Sequence, residues 1–324
     1  MDNSTLAPVD ASSMWRTEKA RSFWDDVFYH FRHNWMGMAG LVVFILLCLT
    51  AIFADKLAPY DYLNQDWNAI LKQPSAAHIM GTDDIGRDVF SRILMGGRTA
   101  LMVASCITVA GAIIGLLVGS FGAFIGGKVD AALVWVVDGL MSFPNIWLAA
   151  FINVATTPTL KAWAASLYTV THWGFLKDEV LISYGVVVFS IGMVNWAWPA
   201  RLVRSQVLSL REREFVEAVR ALGGTAWWIT LRHLIPNVLG SMIVLVTLSF
   251  GNAMLFESSL SFLGIGIRPP GASWGAMIFQ GIARVRTHPY LVLAPGITLA
   301  IVMLSLQFLG DALNDALNPR NRNA

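Results

Sequence analysis

Two acidic side chains stand where acids are costly. Asp138 and Glu257 each fall inside a long apolar run of a 324-residue chain that is 56% hydrophobic and 14% charged. A carboxylate at membrane depth faces a protein interior or a water-filled path. Two readings stay open for each: a residue of a solute or ion pathway, or an interhelical hydrogen-bond acceptor. A third stretch, Gly122 to Val129, nearly spells a phosphate-binding loop. It ends Gly127-Lys128-Val129, so the hydroxyl that would hold magnesium is missing, and it follows an apolar helical pattern rather than a strand. No ATP site and no cofactor are therefore expected in this chain, and no bond chemistry. His30 and His33 have i, i+3 spacing, but no cluster of ligands completes a metal site around them. Cys48 and Cys106 lie in apolar runs and read as small packing residues rather than a disulfide pair.

The elements that must carry these residues follow from composition. A soluble domain is roughly 25% charged, well above the 14% here. Several apolar runs are long enough to cross a hydrocarbon layer about 30 Å thick. The net charge of +2 gives no footprint for nucleic acid. The expectation is an all-α polytopic membrane protein with six spans: 36–54, 101–125, 131–154, 184–203, 238–263 and 290–309. A polar tail, 1–35, precedes them. Phe23, Trp24, Val27, Phe28 and Phe31 recur in it at helical spacing and suit a membrane surface. The triplet Asn3-Ser4-Thr5 matches a glycosylation sequon by chance.

Between spans, 55–98 reads as an outer loop in which Thr82 or Asp83 caps a surface helix. Within 101–125, Gly111, Gly115 and Gly119 form a GxxxGxxxG ridge for close helix packing. Pro144 bends or ends a turn of the third span, the fourth breaks near Pro199, and Pro295-Gly296 kinks the sixth. Residues 155–183 read as a second outer loop, with a short surface helix over 162–171. Arg201, Arg204, Arg211 and Arg213 form the densest basic stretch, which places 204–237 and both termini on the cytoplasmic side.

The polar island Glu214–Asn237 interrupts the apolar pattern. Its first helical segment shows Phe215, Val219, Leu222 and Ala226 on one face and Arg213, Glu217 and Arg220 on the other. Gly223-Gly224 breaks it, and Pro236 stops the second segment. A solvated connection and a docking surface for a soluble partner both fit. An amphipathic helix-turn-helix kept between two spans favours the second.

The spacing Glu217-Ala218-Val219, then Gly223, then Pro236 resembles the EAA loop of bacterial ABC-importer permeases, with Val219, His233 and Ile235 as departures. Arg232-His233-Leu234-Ile235-Pro236-Asn237 is similar to the variant of the peptide/nickel branch. GTDDIGRDVFSRILMGGRTAL (81–101), ESSLSFLGIGIRPPGASWG (257–275) and GDALNDALNPR (310–320) resemble other segments of that branch, specifically its C-type permeases, with Asn314 and Asn318 as departures. The resemblance implies a type I importer permease fold in a bacterial or archaeal inner membrane. It implies pairing with a homologous second permease, two cytoplasmic ATPase subunits that bind ATP and magnesium, and an extracytoplasmic solute-binding protein. The transported solute would be a di- or oligopeptide, with nickel or another small peptide-like solute as the alternative. The residues it assigns to ATPase coupling are Glu214, Glu217, Ala218, Ala221, Leu222, Gly223 and Pro236. The segment 155–183 is longer than the family usually has. An ion-coupled secondary transporter is the rival of another class, and Asp138 and Glu257 are its support.

Overall fold

A computed structural model describes residues 23–317. The Asn3-Ser4-Thr5 triplet, the basic residues Arg16, Lys19 and Arg21, and the Asn318-Pro319-Arg320 end lie outside the described residues.

Apolar composition and length produce long helices. After α1 (Phe23–His33) come α2 (Trp35–Ile52) and a one-turn α3 (Ala54–Leu57). The helix α4 (Val89–Ile125) has 37 residues, a length of about 55 Å at 1.5 Å per residue. Next come α5 (Gly127–Met141), α6 (Asn145–Thr171), α7 (Glu179–Asn195) and α8 (Ala197–Arg211). The polar island holds α9 (Glu214–Ala221) and α10 (Ala226–Ile229), followed by α11 (Ile235–Phe262), α12 (Trp274–Ile282) and α13 (Tyr290–Leu317). Among the described residues, five helical stretches are long and apolar enough to cross a membrane. There are six if α5 and α6, bent by 92° at 142–144, count as one.

Glycines set the closest approaches. A Cβ at Gly115 would lie 2.5 Å from Pro199 Cβ and 2.9 Å from Ala200 N, and one at Gly119 would lie 3.1 Å from Val203 Cβ. The GxxxGxxxG ridge of α4 thus seats α8 at backbone distance. Gly37 and Gly40 of α2 lie against Ala312 and Ser305 of α13 in the same way. Both ends of the described chain therefore meet at one end of the bundle.

The structure departs from the sequence expectations at several short polar residues and prolines. The cap of the second spanning helix is Asp88, which accepts from Ser91 N at 2.8 Å, and not Thr82 or Asp83. Thr82 instead donates to the Ala69 carbonyl. Asp83 holds a turn by accepting from Ile85 N, Arg87 N and Arg87 Nε at 3.1, 2.9 and 2.7 Å. The surface helix expected before residue 101 is the first part of α4 itself, continuous with the span. The outer loop expected over 155–183 is helical as far as Thr171, with Pro158 inside α6. His172, at φ 54°, ends that helix. Pro236 does not stop a helix either. The chain stays helical from Ala226 to Phe262 through a π turn at Thr230–Leu234, and Pro236 follows that turn as the second residue of α11. The fourth apolar stretch breaks at Trp196, ahead of Pro199. The last helix runs on through Pro295 to Leu317.

The segment before α4 is clasped from two sides. Tyr290 Oη lies 2.9 Å from the carbonyls of both Lys72 and Thr82. Buried Trp274 donates its indole N–H to the Ile93 carbonyl at 2.9 Å. Arg98 donates to the last carbonyls of α2, at Ala51 and Ile52, at 2.7 and 3.1 Å, where a cation complements the helix terminus.

Candidate functional site

The eight residues of α9 are held to the bundle by one side. Val216 is fully buried and sits in an apolar cluster with Val203, Val207, Ile229, Leu234 and Val238, against which Val219 also packs. Of the face expected to be apolar, only Val219 packs inward. Val216 and Val219 turn inward, whereas Phe215 is 39% and Leu222 87% exposed. A helix of two turns is too short for its apolar spacing to fix its orientation. The tertiary contact at Val216 does that instead.

The seven candidate coupling residues are all accessible: Glu214, Glu217, Ala218, Ala221, Leu222, Gly223 and Pro236 are exposed. Glu214 and Glu217 lie in the first turn of α9, where negative charge complements the helix dipole. Gly223 has φ +85°, and a Cβ there would meet nothing within 4 Å. Its requirement is conformational and not steric. Gly224 is the crowded one, since a Cβ would lie 2.8 Å from Val219 Cγ1 and 2.9 Å from its carbonyl oxygen. Aromatic side chains flank the turn. Trp227 stacks on Phe121 at 4.4 Å between centroids, and Trp228 meets His233 edge-on at 5.0 Å. The guanidinium of Arg220 lies 5.6 Å over the Phe124 ring. The surface is thus a small-residue ridge with a protruding leucine, two acids and aromatic shoulders on a rigid base. It can dock a protein, and it offers no group arranged for bond chemistry.

The near-miss phosphate loop is the junction of two helices. Gly122–Ile125 ends α4, and Gly126, at φ +71°, turns the chain into α5. Arg211 donates to the Ala123 carbonyl there at 3.0 Å.

The two carboxylates prove to be different objects. Glu257 is fully buried and accepts hydrogen bonds from Ser273 at 2.7 Å, Ser261 at 2.9 Å and Ser258 at 3.2 Å. Ser261 Oγ in turn accepts from Ile267 N at 3.0 Å. The acid therefore fastens the end of α11 to the approach of α12, where Gly275 lies against the Ser258 carbonyl. Asp138 is about half-exposed and pairs with Arg201 of α8. Eight residues back along α5, Asp130 takes Arg204 in a two-pronged pair at 2.6 and 2.7 Å. The basic cluster was legible in the sequence, but its pairing with α5 was not, because partners 63 and 74 residues apart leave no periodic signal.

Residues 111–323 match the model of the family described as the binding-protein-dependent transport system inner membrane component. The chain belongs to that family. Residues 22–74 match the N-terminal TM domain of oligopeptide transport permease C. The permease is 35% identical over 306 residues to the oligopeptide transport system permease protein OppC of Escherichia coli K12, covering 94% of this chain and 93% of that one. It is 34% identical over 301 residues to the dipeptide transport system permease protein DppC of Alkalihalophilus pseudofirmus, covering 93% and 91%. It is 33% identical over 315 residues to the glutathione transport system permease protein GsiD of Escherichia coli CFT073, covering 97% and 96%. As a component of this family the permease is a multi-pass inner-membrane protein and not itself a catalyst.

Proposed function

We propose that this permease is one half of the membrane pore of an ATP-driven importer of di- or oligopeptides. The names of its relatives support that solute class, with glutathione-like peptides inside its range. Its partners are a homologous second permease, two ATPase subunits on the cytoplasmic side and a solute-binding protein outside. ATP and magnesium sit on the ATPases. Both termini face the cytoplasm, in line with the basic cluster that follows α7.

The observation that carries the coupling role is the exposed ridge of α9. Ala218 and Ala221 are small enough for close approach, Leu222 projects by 87% of its surface, and Gly223 takes a backbone angle that favours glycine. An amphipathic helix presenting small residues and one apolar knob fits a groove on a protein partner. Closure of the ATPases would move α9 and, through the Val216 contact, the spans beneath it, exchanging outward- and inward-facing states. Asp138 and Glu257 act as structural ties in this scheme, since each already has partners.

The test is uptake of labelled peptide by vesicles carrying the whole importer, with ATP hydrolysis followed in parallel. Ala218→Trp, Glu217→Lys and Gly223→Val should each abolish uptake while leaving insertion and folding intact. Uptake that survives all three, or that follows a proton or sodium gradient with ATP absent, would sink the reading in favour of an ion-coupled transporter.

A further inference from the structure

At the end of the bundle opposite α9, α6, α7 and the segment after α11 enclose a cavity of about 120 Å³. Its polar lining is unusual for so apolar a chain: Asn153, Thr157, Lys161, Glu179, Ser183 and Arg268. Asn153 is 97% buried, being 3% exposed, and its Nδ2 has no hydrogen-bond partner. A buried amide donor left without a partner is costly, and here it lines a space that a ligand can enter. Its neighbour Thr157 is committed, donating to the Asn153 carbonyl at 2.6 Å, and Ser183 Oγ accepts from Arg268 N at 3.4 Å. Around the same cavity stand two cations, Lys161 and Arg268, and one anion, Glu179. Among the described residues none of the three takes part in an ion pair. Nearby Lys177, by contrast, lies 4.2 Å over the Tyr168 ring.

We propose that this cavity is a contact station for the peptide on its way into the pore. Nδ2 of Asn153 donates to a peptide carbonyl, Lys161 and Arg268 receive the terminal carboxylate, and Glu179 receives the terminal ammonium. The proposal rests on the peptide-importer reading above and adds to it where the solute touches this chain. The chemistry selects the class. A metal cation would have no use for the two bases or for a buried N–H donor, and a simple anion would be repelled by Glu179. A short zwitterion with an internal carbonyl matches all four groups. The extra helical length of α6 beyond residue 154 has a purpose on this account, because it carries Thr157 and Lys161 out to the cavity.

The experiment uses the complete importer in proteoliposomes, with its binding protein saturated by a tripeptide bearing a diazirine side chain. In the wild type, illumination should label fragments containing 153–161 or 179–186, and excess unlabelled tripeptide should compete. Asn153→Leu should lose that label. Glu179→Gln and Lys161→Gln change accessible side chains, so folding is not at stake. Each should lower peptide delivered per ATP hydrolysed by about tenfold, as expected when one hydrogen bond to a charged group is lost. A merely structural role would lower uptake and hydrolysis together and leave that ratio unchanged. An unchanged ratio in all three variants, with label only elsewhere, overturns the station but leaves the importer standing. A wild type that accumulates no peptide overturns both.

Discussion

Arg204 grips Asp130 with both Nε and Nη2, at 2.6 and 2.7 Å, across 74 residues of chain. The pair is mostly shielded, with side chains 28% and 17% exposed, and Arg201 repeats the link to Asp138 further along α5. These ties join the bent half of the third apolar stretch to the helix that leads into α9. A planar guanidinium matches a carboxylate in this way, and a lysine would not. Asp130→Asn should therefore destabilise the assembled importer by about 1.5–3 kcal/mol, read as a lower unfolding midpoint in detergent. The exchange Asp130→Arg with Arg204→Asp should recover part of that loss.

The glycine ridge gives a steric prediction with its own control. Gly115→Ala and Gly119→Ala bring a Cβ into the Pro199–Val203 stretch of α8 and should cut the yield of folded permease sharply. Gly192→Ala, where a Cβ would meet nothing within 4 Å, should be neutral or slightly stabilising, since helix propensity then acts alone. Equal effects at the two kinds of site would remove the ridge from its place in the packing.

These glycines could be read from spacing alone, because a four-residue repeat in an apolar run has one geometric use. Other features could not. Asp83 and Asp88 are equally good caps by type, and only the bridge of Asp83 to Arg87 decides that the helix starts at Val89. Pro158 looks like a loop marker, yet it is accommodated inside α6. For α9, spacing put Phe215, Val219, Leu222 and Ala226 on one apolar face, but on a helix of two turns the buried contact at Val216 sets the orientation instead. Ser273 lies 16 residues from Glu257, so the latch that satisfies that acid was invisible until the chain folded back. Local rules marked out the apolar stretches and the polar island between them. Long-range contacts decided which side of each helix mattered.

The latch itself can be tested. Glu257→Leu strands three serine hydroxyls that now donate to it, at about 1–3 kcal/mol for each buried group left unmet. Glu257→Gln keeps an acceptor and should cost much less. Proteolysis of the 263–273 segment should become faster in the leucine variant and stay near wild type in the glutamine variant. An acid that carried protons would show the reverse priority, with Glu257→Gln stopping transport while the segment stayed protected.

The protruding Leu222 separates docking from folding. It is 87% exposed, so Leu222→Asp should leave the melting curve of the isolated permease unchanged while weakening co-purification of the ATPases. Val216→Asp, inside the apolar cluster, should instead unfold α9 and fail both measurements. Identical behaviour of the two variants would mean that Leu222 is not part of a contact.

The uninterrupted helical run from Ala226 to Phe262 makes a single strut about 55 Å long, with the exposed Gly223-Gly224 turn at one end and the Glu257–Ser273 latch at the other. A strut cannot be pushed at its foot without its head responding, unless it yields in between. The one irregularity in it is the π turn at Thr230–Leu234, close to the foot, where the hydrogen-bond register is already slack. The π turn is thus the irregular place in the strut, and the rest of its length links the exposed Gly223-Gly224 turn at one end to the Glu257–Ser273 latch at the other.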